Sequence, residues 1–403
     1  MRVLITDGNE RAALAAARSL VAVGYAVHVA ARVRPSLAGV SQQVRSHTLT
    51  RDPLADPAGY TDEVRRLALD EGIDLLLPVT DASLEAVLEH RAALPLALLL
   101  PGPDLASYRA ASDKAHVLTL AESCGFGVPE TRIIATPEQA ERALTDAATW
   151  FPAVVKPHRS VVRVGAVRRK LPVTLVADRA AGRRALAALP PSAFPVLLQR
   201  RVTGVGEGFF ALRWEGRPIA LFAHRRLREK PPSGGVSVYR ESIPLDAQLV
   251  GPGLCLLDAL GWNGVAMIEC KREQSTGRQV VMEVNARFWG SLQLAIDAGV
   301  DFPALLVRCA SGERVPPVSH YRVGVRSRWW WGDVDHLYQR LRRSAAELQL
   351  ENGAGSRLRA LRDFLRIAPG RDRAEVWRWR DPAPFIVETL QWLHLLGTGS
   401  SGI

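Results

Sequence analysis

Apolar runs and amphipathic stretches alternate through the first 110 residues. Val3-Leu4-Ile5-Thr6 reads as a short buried strand. Residues 10–23 follow with apolar positions at helical spacing, closed by Gly24. Residues 26–30, 74–79 and 96–100 read as further strands, and 60–69 and 83–92 as helices. Continuous apolar strands between helices predict a parallel sheet covered on both faces. The turn after the first strand reads Asp7-Gly8-Asn9-Glu10-Arg11-Ala12, with one glycine. A dinucleotide site wants Gly-x-Gly-x-x-Gly there. The expectation is a Rossmann-like supporting domain.

The pattern then becomes mixed. Ser112 is placed to cap a helix over 113–123 that stops at Gly125. Ile133-Ile134 is a strand, 137–147 a helix, and Phe151-Pro152-Ala153-Val154-Val155-Lys156-Pro157 an apolar strand ending on a lysine. Lysine is a compact cation suited to phosphate oxygens. Residues 158–170 form a loop carrying Arg159, Arg163, Arg168, Arg169 and Lys170. It reads equally as a lid over phosphates and as a solvated charge run. Residues 196–202 are a strand, and 209–213 with 219–223 a hairpin around Glu215-Gly216. Residues 224–242 are polar, basic and broken by glycine, the texture of a functional loop.

Met282-Glu283-Val284-Asn285-Ala286-Arg287 organises the rest. On a strand, Glu283, Asn285 and Arg287 share one face. The preceding apolar run Val265-Ala266-Met267-Ile268 ends on Glu269, and Gly277 in the linker predicts a hairpin that sets the two strands together. Mg²⁺ takes hard oxygen ligands and is held through one or two carboxylates plus phosphate oxygens. The plain alternative is an ordinary hairpin with a solvated polar face. Residues 254–260 and 291–298 read as flanking helices.

A chain of 403 residues suggests roughly two to four domains. Its 47% hydrophobic and 23% charged residues are those of a globular protein. There is no signal-peptide pattern and no uninterrupted apolar run of about 18 residues, so a cytoplasmic location is expected. Cys124, Cys255, Cys270 and Cys309 lie far apart without metal-type spacing and read as reduced, buried thiols. The formal charge of +11 points to anionic partners. No recognised nucleic-acid-binding motif is present. From Tyr321 on, the chain holds six of its ten tryptophans and 14 arginines against 9 acidic residues. Leu358, Leu361 and Leu365 share a helical face ringed by Arg359, Arg362 and Arg366. The favoured expectation is a helical cap packed on the body; the alternative is contact with an anionic membrane surface.

In order, Lys114, Lys156-Pro157, Gln199 to Val202, Glu207, Glu269 and Glu283-x-Asn285-x-Arg287 resemble the ATP-grasp superfamily. The nearest type is the carboxylate–amine ligases related to the carbamoyl phosphate synthase large subunit. The resemblance covers residues 1–310. It implies an α/β protein, α+β in its ATP-grasp part. The expected parts are a Rossmann-like domain over 1–112, a small lobe over 113–198, a large lobe with the metal site over 199–320, and a helical extension over 321–403. It implies ATP and Mg²⁺ (or Mn²⁺) as cofactors. Lys114 and Lys156 would hold phosphates, Gln199, Arg200, Arg201 and Val202 the adenine edge, and Glu207 the ribose. Glu269, Glu283 and Asn285 would bind the metal, and Arg287, with Lys156, would act on the transferred phosphate. Two departures stand out: Arg200 replaces a usual acidic residue, and the lid loop is basic rather than glycine-rich.

The activity so implied is ATP-dependent joining of a carboxylate to an amine through an acyl phosphate. The substrate carboxylate is expected near Arg226, Arg228, Ser237, Arg240 and Arg287. Small-molecule acid and amine partners, a homodimer and no nucleic acid complete the expectation. The alternative is a non-catalytic nucleotide sensor or membrane-peripheral scaffold.

Overall fold

The computed structural model describes residues 1–165, 167–318, 320–350 and 355–398. Ala166 of the basic loop and residues 351–354 and 399–403 of the extension lie outside the described residues.

The chain opens with β1 (Arg2–Ile5), α1 (Arg11–Ala22), β2 (Ala26–Ala31), β3 (Ser46–Leu49), α2 (Pro57–Asp70), β4 (Leu75–Leu77) and α3 (Asp81–Glu89). The strands form a parallel sheet in the order β3-β2-β1-β4. Leu4, Ala30 and Leu76 pack against α2 and α3, while Val3, Ile5 and Val29 pack against the alanine-rich α1, so both faces are covered as expected. The expected strand over 96–100 is reduced to a single bridge, Leu75 to Leu99. Leu96 is 99% exposed and only Leu98 of that run is buried, too little apolar area to hold a full strand.

Two helices, α4 (Leu105–Ser112) and α5 (Lys114–Ser123), lead to β5 (Thr131–Ile134), α6 (Ala140–Asp146), β6 (Ala153–Pro157), β7 (Val161–Val164), β8 (Val167–Lys170), β9 (Thr174–Val176), α7 (Arg179–Ala187) and β10 (Val196–Arg200). Asp113, not Ser112, caps α5, its side chain accepting from Ala115 and His116 N–H. A four-stranded sheet runs β5-β10-β6-β9, and the basic loop is a separate β7–β8 hairpin. Three β-branched valines in Val161 to Val164, with Val162 buried, suit a strand better than a loop.

The largest sheet is built from β11 (Gly204–Trp214), β12 (Arg217–Lys230), β13 (Val236–Ser242), then, after α8 (Ala247–Ala259), β14 (Gly264–Glu273) and β15 (Gln279–Asn285). Residues 224–242, expected as a loop, are therefore mostly paired strand. The helices α9 (Leu292–Ala298) and α10 (Phe302–Ala310) follow. Along β11, Phe210 and Leu212 enter the core shared with α1 and α9, and Phe209 and Ala211 the core shared with α8. Cys124 and Cys255, expected as thiols, are joined in a disulfide between the end of α5 and α8; Cys270 and Cys309 are free and buried.

The extension contains β16 (Arg326–Arg328), α11 (Trp330–Arg342), α12 (Arg357–Leu365), β17 (Asp372–Ala374) and α13 (Ala383–Gly397). It is not purely helical. β16 pairs with β13 and β17 with β16, giving seven strands in the order β15-β14-β11-β12-β13-β16-β17. The expected burial of the Leu358, Leu361 and Leu365 face is also overturned: α12 has no buried residue. Its Phe364, on another face, provides the contact with Trp330 of α11.

Candidate active site

A cleft of about 660 Å³ opens between the four-stranded and seven-stranded sheets, within the range of small-molecule sites. Its walls include Lys156, Gln199, Arg200, Arg201, Val202, Glu269, Glu283, Asn285 and Arg287. Lys114 reaches Glu283 from a smaller adjoining pocket that shares Glu283 and Asn285.

The carboxylates meet because β14 and β15 pair antiparallel with Glu269 directly opposite Glu283. Lys114, the first residue of α5, brings its Nζ to 3.5 Å from Glu283 and donates to Ser160 Oγ at 2.9 Å. Lys156 is buried at the end of β6. Burial pushes Glu283 up, but Lys114 and Lys156 outweigh it and hold the carboxyl below the usual range. Burial pushes Glu269 up, and Arg226, at 2.6 Å, offsets this only in part. Burial draws Lys156 down, partly countered by Glu283. The centre is thus a pair of opposed carboxylates held among cations.

Arg287 lies past the end of β15, bonded to Asp81 Oδ2 at 3.0 Å and to Asn285 Oδ1 at 3.1 Å. Asp81, at the start of α3, went unnoticed in the sequence because it lies beside the N-terminal parallel sheet, about 200 residues away. Lys271, one turn of alternation beyond Glu269, was also missed; its Nζ donates to the Val202 carbonyl at 3.0 Å.

Of the other candidates, Glu207, Arg228 and Arg240 do not line the cleft, and Arg200, Arg226 and Ser237 do. Glu207 sits on β11 opposite Cys270, so it projects to the sheet face away from Glu269. There Arg272 donates to it at 3.0 and 3.2 Å and Gln279 at 2.5 Å. It is not among the residues that line the cleft. Arg228 is drawn off by Asp333, with both contacts at 2.6 Å, and stacks over Tyr239. Arg240 is fully buried behind the wall against Glu375. Arg226 lines the cleft but is engaged by Glu269 and Glu229; Ser237 lines it with its hydroxyl unpartnered. Arg200 is exposed and pairs with Glu130.

The donor set suits a divalent cation of the magnesium kind. Two facing carboxylates and an amide offer hard oxygens, and no group of three His, Cys, Asp or Glu gathers among the described residues. Such a set leaves coordination positions for phosphate oxygens. The turn after β1 does not suit a dinucleotide: the Asp7 carboxylate fills it, accepting from Thr6, Thr80 and Ser83.

No family model matches the chain, and a search of curated proteins finds no match. Solved structures do resemble it. The biotin carboxylase–βγ-ATP complex from Campylobacter jejuni is 13% identical, with TM-score 0.62, over 80% of this chain and 74% of that one. N5-carboxyaminoimidazole synthetase from Staphylococcus aureus is 13% identical, TM-score 0.59, over 81% and 80%. An L-amino acid ligase from Bacillus licheniformis is 18% identical, TM-score 0.59, over 79% and 77%. The fold of this chain is the ATP-grasp fold.

Proposed function

We propose that the protein is an ATP-dependent ligase that joins a substrate carboxylate to an amine. The carboxylate oxygen attacks the terminal phosphorus of ATP, giving an acyl phosphate and ADP. The amine then attacks the acyl carbon, the C–O bond to phosphate breaks, and an amide, phosphate and a proton leave. Activation replaces a poor leaving group with a good one.

The observation that carries this reading is the Glu269–Glu283 pair, opposed in register on the wall of a cleft lined by Lys156, with Lys114 3.5 Å from Glu283. Phosphoryl transfer needs positioning and charge neutralisation more than covalent help. Glu269, Glu283 and Asn285 would hold Mg²⁺ or Mn²⁺, which when bound neutralises phosphate charge. Lys114 and Lys156 would take phosphate oxygens, the Gln199 to Val202 edge the base, and Arg287 the reacting carboxylate. The four-part division at 112, 198 and 320 is part of this proposal. ADP release over pools of amino acids, sugar acids and small peptides tests it. An acid and an amine that together stimulate release beyond either alone would support it; no stimulation by any pair, with nucleotide bound, would refute it.

For the extension we propose an anionic lipid surface as a further partner. The specific observation is α12, whose exposed leucines are ringed by arginines.

A further inference from the structure

We propose that Arg11 binds a second anionic group on the acid substrate, one besides the carboxylate that is activated. This rests on the ligase reading above. The substrate class is then a dicarboxylate or a phosphorylated acid.

Arg11 opens α1 and lines the cleft beside Trp289, Gly290 and Ser291. Its Nη1 donates to Glu375 Oε2 at 2.6 Å, and its guanidinium lies 3.9 Å from the centre of the Trp329 ring. The other oxygen of Glu375 meets Arg240 Nη2 at 2.5 Å. Two guanidiniums therefore share one carboxylate, with side-chain exposures of 11%, 0% and 2% for Arg11, Arg240 and Glu375. The cluster carries one surplus positive charge. A buried charge without a counterion is costly. A further carboxyl that interacts with the cluster, Glu388, is bound by Trp329 Nε1 and pushed up to about 7 by burial, so it compensates only in part.

Three features direct that surplus charge into the cleft. Arg11 Nη2 lies where a Cβ on Gly290 would come to 3.2 Å, so the absent side chain leaves the guanidinium open on that side. Gly290 has no positive φ, so space rather than backbone conformation calls for glycine there. Trp289, 2% exposed, and Ser237 are also cleft-lining residues, and the Trp289 Nε1–H and Ser237 hydroxyl are buried without a partner. A guanidinium is positively charged and a donor only, which selects an anion. Arg287 is occupied separately, by Asp81 and Asn285 beside Glu283, so the two arginines serve different groups.

Calorimetric titration of the full chain with MgADP present tests the assignment. The probes are two matched pairs: butyrate against succinate, and glycerate against 3-phosphoglycerate. In the wild type at least one doubly anionic member binds about tenfold or more tighter than its partner; which pair discriminates identifies carboxylate or phosphate. Arg11→Gln erases the difference with ADP affinity unchanged, while Arg11→Lys keeps part of it. Gly290→Ala, crowding Nη2 without removing charge, erodes the same preference and covers the case of a misfolded Arg11 variant. Equal binding within both pairs in the wild type, or a preference that survives Arg11→Gln, overturns the proposal. Failure of ADP itself to bind would instead count against the ligase reading, and the pairs are then compared without nucleotide.

Discussion

Glu269 and Glu283 face each other across the β14–β15 ladder, and Lys114 Nζ stands 3.5 Å from Glu283. Like charges directly opposite on a sheet destabilise it. Here Arg226 engages one carboxylate and two lysines the other, so the repulsion is offset rather than absent. A pair kept at such a place is suited to bind a divalent cation. Glu283→Gln is expected to lower Mg-dependent ATP turnover by at least about a hundredfold, the scale on which lost electrostatic stabilisation acts. The Mg²⁺ dependence of nucleotide affinity should vanish with it, while circular dichroism stays unchanged. Retained turnover would remove the metal assignment.

Glu207 gives the opposite expectation. Its carboxylate is satisfied by Arg272 and Gln279 on the far face of the sheet. Glu207→Ala should leave ADP affinity within about twofold, far below the tenfold step that one lost charged contact gives. It should instead cost about 1–3 kcal/mol in denaturant unfolding, because buried Gln279 loses its acceptor. A large loss of nucleotide affinity with unchanged stability would return Glu207 to the nucleotide site.

These two residues mark where sequence was sufficient and where it was not. Glu269 and Glu283 were legible because each ends or continues an apolar strand, and Gly277 made their hairpin explicit. Glu207 was assigned by resemblance alone. The alternation of β11 puts it with Phe209 and Ala211, toward the α8 core, and that register depends on its pairing with β14. Arg228 and Arg240 looked free because their partners, Asp333 and Glu375, lie over 100 residues on. β16 and β17 have three residues each, too few for a periodic signal. The N-terminal parallel sheet, by contrast, needed only its apolar strands.

The β7–β8 hairpin is latched to α3 and to Leu54. Arg168 contacts both Glu85 and Glu89 of α3, and its backbone N–H donates to Leu54 at 2.9 Å. Arg109 also pairs with Glu89. Arg168→Ala should free the hairpin: amide exchange over residues 161–170 should rise about tenfold or more, the loss of one charge-assisted contact. Exchange in β14 and β15 should not move. Unaltered exchange in the hairpin would show that its backbone contacts suffice.

Glu388 predicts a pH response of the extension. Burial lifts its carboxyl to about 7 from 4.5. Between those values the folded chain keeps a proton that the unfolded chain has released. Stability from this group is therefore full below the unfolded value and declines as pH rises toward about 7. The difference amounts to about 3 kcal/mol. Glu388→Gln, which keeps an acceptor for Trp329 Nε1, should flatten that decline and stabilise the protein above neutral pH. Denaturant unfolding of both proteins at about pH 5 and about pH 8 measures it. Parallel pH profiles would mean that Glu388 is ionised throughout.

α12 exposes Leu358 by 75%, Leu361 by 37% and Leu365 by 65%, and Arg357, Arg359, Arg362 and Arg366 accompany them against Asp363 alone. A second copy of the chain would bring the same positive charges together, so self-association through this face is opposed by repulsion. An anionic bilayer satisfies both the leucines and the arginines. No helix among the described residues is long and apolar enough to cross a membrane, so contact would lie at the surface. The chain should sediment with vesicles containing phosphatidylglycerol and not with phosphatidylcholine alone. Leu358→Ser with Leu365→Ser should weaken that binding by about tenfold or more, since each lost buried aliphatic side chain is worth about 1.5–3 kcal/mol when fully inserted. Added salt should weaken it further. Binding unaffected by the double substitution would assign the exposed leucines to another partner.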